Sequence, residues 1–177
     1  TSKIDYLLDL GINAIYIGPL FESTAHGYDT VDYYWVDRRL GTNDDLKKFV
    51  NVCHQNNICV ILDAVFNHTG RDFFAFKDLQ NNGLNSQYKD WYKNVRLDQR
   101  SPMGDNFSYE NWAGCNDLVK LNVDNPQVQE HLFGAVEHWI KTFNIDGLRL
   151  DAADMLSPNF MEKLSIFCQQ KKPDFWL

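Results

Sequence analysis

The sequence has no long apolar run, no run of basic residues and no closely spaced pair of cysteines. Its apolar stretches fall well short of the roughly 20 residues that a membrane-spanning helix needs, and its formal net charge is -7. These features argue against a membrane protein, and against nucleic acid or an anionic membrane as partner. We expect no secretory signal, because Thr1 leads directly into an amphipathic segment.

The four cysteines are scattered and form no CxxC motif. Cys53, Cys59 and Cys168 lie within apolar patterns, so we expect reduced thiols in the core. This favours an intracellular, cytoplasmic location. The motifs of a serine-hydrolase nucleophile, a P-loop and a zinc protease are absent too, which leaves an unrelated parallel α/β hydrolase as a low-ranking alternative.

What the sequence does contain is a repeated order of helix, turn and short apolar strand. A helical pattern ends near Gly11, and a strand follows it before Phe21. The same order recurs over residues 52–66 and 139–154, and it begins again at Cys168. Such alternation is typical of a parallel sheet covered by helices. Both the doubly wound sheet and the (β/α)8 barrel fit this pattern.

Three amphipathic helices are predicted between these strands, each behind a capping residue. The first starts at Thr42 or Asn43, the second at Asn125-Pro126 and the third at Ser157-Pro158. Their apolar faces consist of Leu46, Phe49, Val50 and Cys53; of Val128, Leu132, Ala135, Val136, Trp139, Ile140 and Phe143; and of Phe160, Met161, Leu164, Phe167 and Cys168.

Residues 69–124 interrupt this order. They are rich in Asn, Asp and Gly, and they carry aromatic residues, Trp91 and Tyr109 among them, at a density too high for a solvated coil. We therefore expect a subdomain inserted between a strand and the helix that follows it. The chain would then divide into a barrel part over 1–68, the insertion over 69–124 and a second barrel part over 125–177.

Polar and aromatic side chains follow three of the predicted strands, at the edge where ligands bind in parallel α/β folds. Arg149 and Asp151 are two residues apart, so an extended chain points both to the same side. A guanidinium favours the ionised form of a nearby carboxylate. The other members of the three clusters are His26, Tyr28, Asp29, Asp32, Asp63, Asn67 and His68.

Each of these residues also has a plain structural explanation. Arg149 and Asp151 can form a structural ion pair, and Tyr28 can be an aromatic residue at the rim of the core. His68 can be an ordinary loop histidine, and single aspartates at strand ends are often helix caps. Three clusters at one rim favour a binding site over these separate explanations.

Three segments resemble signature segments of the alpha-amylase family, glycoside hydrolase family 13. They are "HGYDTVDYY" at 26–34, "DAVFNH" at 63–68 and "GLRLDAAD" at 147–154. The neopullulanase and cyclomaltodextrinase branch is the most similar, and "NWAGCNDLVKLNVDNP" at 111–126 also resembles it. The resemblance covers essentially the whole chain, with its motifs in the family's order.

The resemblance implies a partial TIM (β/α)8 barrel of roughly strands 2 to 5, with the inserted subdomain after barrel strand 3. It implies a retaining hydrolase of α-1,4 and, as a tolerated linkage, α-1,6 glucosidic bonds in an α-glucan or maltooligosaccharide. By the same resemblance the enzyme requires no cofactor, and a structural calcium ion at Asn67 is possible. The oligomeric state stays open. The alternatives are a glucanotransferase or sugar isomerase of the same family, and a non-catalytic structural chain related to it.

By this resemblance Asp151 is the catalytic nucleophile, and Arg149 keeps that carboxylate ionised and oriented. The substrate-binding positions are Tyr28, as the aromatic platform under the sugar, together with Asp63, His68 and His26.

Some positions depart from the family's pattern. Asp154 and Met155 stand where many amylases carry lysine and histidine, which bears on the acceptor side of the site. Val119 stands where a proline is common.

Retaining hydrolysis also needs a second carboxyl group, an acid/base, roughly 5 Å from the nucleophile. In the family this group is a glutamate just beyond barrel strand 5, and "KPDFWL" at 172–177 resembles the start of that strand. We therefore expect the acid beyond Leu177, and no turnover by this segment alone. Glu137 and Glu162 lie in predicted helices and do not replace it.

Overall fold

A computed structural model describes residues 3–177. Thr1 and Ser2, where the first expected barrel part starts, lie outside the described residues. In chain order the elements are α1 (Ile4–Asp9), β1 (Ala14–Ile17), α2 (Asn43–Gln55), β2 (Cys59–Ala64), β3 (His68–Gly70), α3 (Phe74–Asn82), β4 (Asn111–Trp112), β5 (Cys115–Lys120), α4 (Pro126–Phe143), β6 (Gly147–Leu150) and α5 (Pro158–Lys171).

The central sheet is parallel, with strand order β1-β2-β6. A parallel bridge between Gly147 and Trp176 adds the next strand at the β6 edge, where the sequence predicts one. Strands that follow chain order without reversal fit a barrel better than a doubly wound sheet, whose order reverses at a switch point.

The predicted helix starts are confirmed, because the signals that set them are local. Thr42, rather than Asn43, caps α2 in a reciprocal capping box with Asp45. Asn125 and Ser157 cap α4 and α5, each with a proline directly after the cap.

Trp139 of α4 ties the helix layer to the loop that follows β1. Its ring is fully buried and stacks on Phe21 with the centroids 4.4 Å apart. Its indole Nε1 donates to the carbonyl of Tyr33 at 2.6 Å, and the Tyr33 hydroxyl donates to the carbonyl of Val65 at 2.7 Å. Since these contacts satisfy the polar atoms of two buried aromatic residues, they fix the loop that carries Tyr28 against the end of β2.

The segment between β2 and α4 forms a second, antiparallel sheet of order β3-β5-β4. It begins at His68, one residue before the range expected for the insertion, because His68 pairs with Lys120. Helix α3 was not predicted, since only a short apolar stripe marks it.

The aromatic residues of this segment form a cluster around Phe76 of α3. Three rings lie with their centroids 5.1–5.7 Å from the Phe76 ring, those of Tyr92, Phe107 and Tyr109.

The two faces of the parallel sheet differ in chemistry. Along β2, Val60 and Leu62 are fully buried among apolar residues. Asp63, next along β2, points to the other face and pairs with Arg149 on β6, so that face is polar. Tyr16 of β1 is on that face and is half exposed.

All four cysteines are free thiols, and Cys53 and Cys168 are fully buried. Within residues 3–177, no helix is long and apolar enough to cross a membrane.

Candidate active site

The candidate site lies at the carboxyl ends of β2 and β6, beside the loop that follows β1. Asp63 and Arg149 are paired positions on the two neighbouring strands. Asp151 comes just after β6, and its backbone N–H donates to the carbonyl of Ala64 at 3.1 Å. The strand pairing therefore sets the position of Asp151 relative to Asp63.

One nitrogen of Arg149 joins the two carboxylates. Its Nη1 donates to Oδ1 of Asp151 at 2.8 Å, and it lies 3.0 and 3.2 Å from Oδ1 and Oδ2 of Asp63. The pKa of Arg149 is raised above its ordinary value, mainly by the hydrogen bonds to Asp63. The Asp63 side chain is fully buried, whereas Asp151 keeps 13% of its side chain exposed. Two carboxylates share one cation, so the group as a whole carries excess negative charge.

Tyr16 is a member of this group that the sequence analysis missed. Its hydroxyl donates to Oδ2 of Asp63 at 2.6 Å. Burial, the hydrogen bond to Asp63 and the charge of that carboxylate raise the pKa of Tyr16, so the hydroxyl keeps its proton at neutral pH. The alternation of β1 was readable from the sequence, but not the register that brings Tyr16 to Asp63.

A cleft of about 270 Å³ opens beside Asp151 and is lined by Tyr28, His68, Trp112 and Asp151. Tyr28, His68 and Asp151 are predicted from the sequence, whereas Trp112 is not. The Trp112 ring lies 6.0 Å from the His68 ring. A tight turn between β4 and β5 presents it, with positive φ at Ala113 and Gly114.

His68 is buried at the edge of the cleft. The Asn67 amide nitrogen lies 3.1 Å from its Nδ1. Among the described residues its Nε2 has no hydrogen-bond partner. Burial lowers the pKa of His68, so the ring is neutral. An amide donor at Nδ1 places the ring proton on Nε2, an atom that is itself buried.

Asn67 does not have the surroundings of a calcium site. Calcium takes six to eight oxygen ligands, usually with several carboxylates. Residues 3–177 contain no group of three or more His, Cys, Asp or Glu side chains placed to hold a metal ion. The amide nitrogen of Asn67 is directed to His68. The residues present therefore do not fit the calcium ion that the resemblance allowed.

His26 is not among the residues that line the cleft. Its Nδ1 lies 3.5 Å from Oδ1 of Asp29, and its Nε2 lies 4.0 Å from Oδ2 of Asp117 on β5. Asp29 itself accepts hydrogen bonds from three successive backbone N–H groups, at residues 25–27, so it shapes the loop that carries Tyr28.

The sheet order and the position of the site define a segment of a (β/α)8 barrel with its site at the carboxyl ends of the strands. The chain belongs to the alpha-amylase family: the family described as "Alpha amylase, catalytic domain" matches residues 1–174. Membership identifies the parallel sheet as part of a TIM barrel, which confirms the barrel prediction over the doubly wound alternative.

Relatives and solved structures agree with this assignment. A cyclomaltodextrinase of Bacillus sp is 42% identical over 181 residues, covering 99% of this chain and 32% of that protein. Neopullulanase 2 of Thermoactinomyces vulgaris is 36% identical, covering 98% of this chain and 29% of that protein. The native debranching enzyme of Nostoc punctiforme superposes with a TM-score of 0.90 at 40% identity, over 98% of this chain and 36% of that one. The chain spans about a third of the length of the curated relatives it matches.

Proposed function

We propose that this chain is part of a retaining α-glucan hydrolase that acts on α-1,4 bonds and tolerates α-1,6 bonds in maltooligosaccharides and related glucans. The observation that carries the proposal is the shared contact of Arg149 with Asp63 and Asp151, at a cleft walled by Tyr28 and Trp112. Carboxylates beside aromatic rings suit a sugar, which has an apolar face and hydroxyl edges.

In the proposed mechanism Asp151 is the nucleophile. Arg149 holds its Oδ1, so Oδ2 is the oxygen left to attack the anomeric carbon. The bond from that carbon to the glycosidic oxygen breaks while an acid protonates the leaving oxygen, and water later releases the glycosyl group from Asp151.

The charge of the group suits the transition state of this reaction. Positive charge develops on the sugar ring as the glycosidic bond breaks. Asp63 and Asp151 together outweigh the single charge of Arg149, so the net charge facing the sugar is negative. Tyr28 is placed to support the apolar face of the ring, and His68, which lines the same cleft, would contact the sugar beside it. His26, whose ring lies 6.2 Å from the Tyr28 ring, would bind the sugar at the edge of that aromatic platform.

The acid/base has to come from another part of the intact protein. Among the described residues, the cleft beside Asp151 is lined by no glutamate. Glu137 and Glu162 lie in α4 and α5, as expected. We therefore propose that the acid follows the strand begun at Trp176, and that residues 1–177 alone bind substrate at most.

The same proposal sets the organisation of the chain. Strands β1, β2 and β6 correspond to barrel strands 2, 3 and 4, and Trp176 begins strand 5. Residues 69–124 form the subdomain inserted after barrel strand 3, between barrel parts over 1–68 and 125–177. The antiparallel sheet and its aromatic cluster support this division.

We also propose an intracellular location. Four free thiols are compatible with a reducing compartment. A relative from Bacillus subtilis that is 38% identical is named intracellular maltogenic amylase.

The test is product analysis with the intact protein on maltoheptaose, pullulan and a cyclodextrin. Net release of reducing ends in the α configuration is expected. Chain lengths that grow without net release would make the protein a glucanotransferase. Conversion of a sugar into an isomer of the same chain length, in which the glycosidic bond breaks and re-forms without net hydrolysis, would make it an isomerase. The absence of turnover on all three would overturn the proposal in favour of a non-catalytic chain.

A further inference from the structure

Tyr16 lies in the middle of β1, and it touches the group that holds Asp151. It is paired with Ile61 on β2, and its hydroxyl reaches Oδ2 of Asp63 at 2.6 Å. It is not among the residues that line the cleft of Asp151. Any effect of Tyr16 on the reacting carboxylate therefore passes through other side chains.

Asp63 divides its contacts between two donors. Oδ2 accepts from both Tyr16 and Arg149, at 2.6 and 3.2 Å, and Oδ1 accepts from Arg149 at 3.0 Å. The same Nη1 atom of Arg149 also serves Asp151 at 2.8 Å. The two carboxylates thus compete for one nitrogen. Tyr16 supplies Asp63 with a second hydrogen-bond donor, so Asp63 depends less on that nitrogen.

We infer that Tyr16 is a positioning residue that, by donating to Asp63, keeps Arg149 shared with Asp151 and so keeps Asp151 aligned. The inference rests on the proposed function, because it takes Asp151 to be the nucleophile. The Asp63 side chain is fully buried, so bulk water does not replace a donor that is lost there.

The test is the Tyr16→Phe variant of the intact protein, with a 4-nitrophenyl α-maltooligosaccharide as substrate. Without the hydroxyl, Asp63 draws Arg149 toward itself and away from Asp151. We expect kcat to fall by about 5- to 30-fold, the size of effect typical of one lost hydrogen bond. KM should stay within about twofold.

Tyr6→Phe is the matched control, because Tyr6 is 60% exposed on α1. It should reproduce the wild-type values. An unchanged kcat in Tyr16→Phe would overturn the inference. A raised KM with kcat unchanged would also overturn it, since Tyr16 would then bind sugar directly. In both cases the wild type remains active and the proposed function stands, whereas an inactive wild type would overturn the two together.

A second variant keeps the shape of Tyr16, for the case in which Tyr16→Phe does not fold. 4-Fluorophenylalanine placed at position 16 alone has nearly the size of tyrosine but no O–H donor. It should lower kcat as Tyr16→Phe does, with KM within about twofold of the wild type. An unchanged kcat would contradict the proposed role.

Discussion

The Nη1 atom of Arg149 lies 2.8 Å from Oδ1 of Asp151, the residue two positions further along the chain. The side chain of Arg149 remains 46% exposed, although the same Nη1 atom contacts the fully buried Asp63. It therefore links a buried carboxylate to one that is partly exposed. In the proposed enzyme, this contact fixes the position of Asp151 at the cleft.

Asp151→Asn should abolish turnover while leaving the fold intact. The amide has nearly the size of the carboxylate but is a poor nucleophile, so we expect kcat of the intact protein to fall on the order of 10⁴-fold or more. Release of reducing ends from maltoheptaose measures the activity, and thermal melting measures the fold. Asp98→Asn, at an exposed position of residues 83–110, is the matched control and should stay fully active. Most of the activity remaining in Asp151→Asn would exclude Asp151 as the nucleophile.

Arg149→Ala should weaken both catalysis and stability. It removes the donor shared by the two carboxylates, and we expect kcat to fall by about 10²- to 10³-fold, as for the loss of one preorganised donor. The melting temperature should also fall, because Asp63 stays buried with Tyr16 as its remaining side-chain donor. Arg96→Ala, at an exposed arginine, should change neither quantity. A melting temperature that falls without any loss of kcat would leave only a structural ion pair.

Trp112→Ala should affect binding more than chemistry. The ring lines the cleft and has no proposed part in the bond-breaking step, so its removal takes away stacking area for the sugar. We expect KM for maltoheptaose to rise by about tenfold and kcat to change by less than about threefold. Trp112→Tyr should recover most of the affinity. Trp35→Ala, at a tryptophan that is 63% exposed, is the control, and an equal rise in KM there would contradict a specific role for Trp112.

Asp37→Asn should reveal a pH-dependent part of the stability. Arg39 donates to both oxygens of the buried Asp37, and its Nη1 binds the carbonyl of Ala25 at 2.6 Å, which anchors the loop that leads to Tyr28. The Arg39 guanidinium holds the pKa of Asp37 well below the ordinary value of 3.8. A carboxyl group with a lowered pKa in the folded state stabilises above its unfolded pKa, and this contribution is lost as the pH falls.

The variant should therefore be less stable than the wild type by about 1–2 kcal/mol at neutral pH, a modest value because Arg39 is partly exposed. Denaturant melts of the intact protein across the pH range measure the difference. It should stay constant down to about pH 5 and shrink as the pH falls below about 3.8. A difference that is the same at pH 7 and at pH 3 would contradict the ion-pair explanation.

Local signals made much of this fold predictable. The caps at Thr42, Asn125 and Ser157 and the apolar faces behind them are encoded within one or two helical turns, so α2, α4 and α5 are found where the sequence places them. The edge that carries Asp63 and Asp151 was predictable for a similar reason, because strand ends in parallel folds meet on one side.

Contacts that depend on register or on loop paths were not predictable in this way. Tyr16 reaches Asp63 only through the pairing of β1 with β2, and Trp112 reaches His68 only through the turn after β4. His26 is two residues from Tyr28 and its ring lies 6.2 Å from the Tyr28 ring, but a loop lacks the alternation of a strand, so its approach to Asp117 on β5 was not predictable. Contacts between side chains of separate elements could not be predicted from the sequence alone.

The most direct test of the central claim is to trap the glycosyl-enzyme. A fluorinated α-glycosyl fluoride, which forms the covalent intermediate faster than water can release it, should label the intact protein once. Mass spectrometry of the digested protein should place the sugar on Asp151. A label on any other carboxylate, or turnover of this substrate with inversion and no covalent label, would contradict the assignment of Asp151 as the nucleophile.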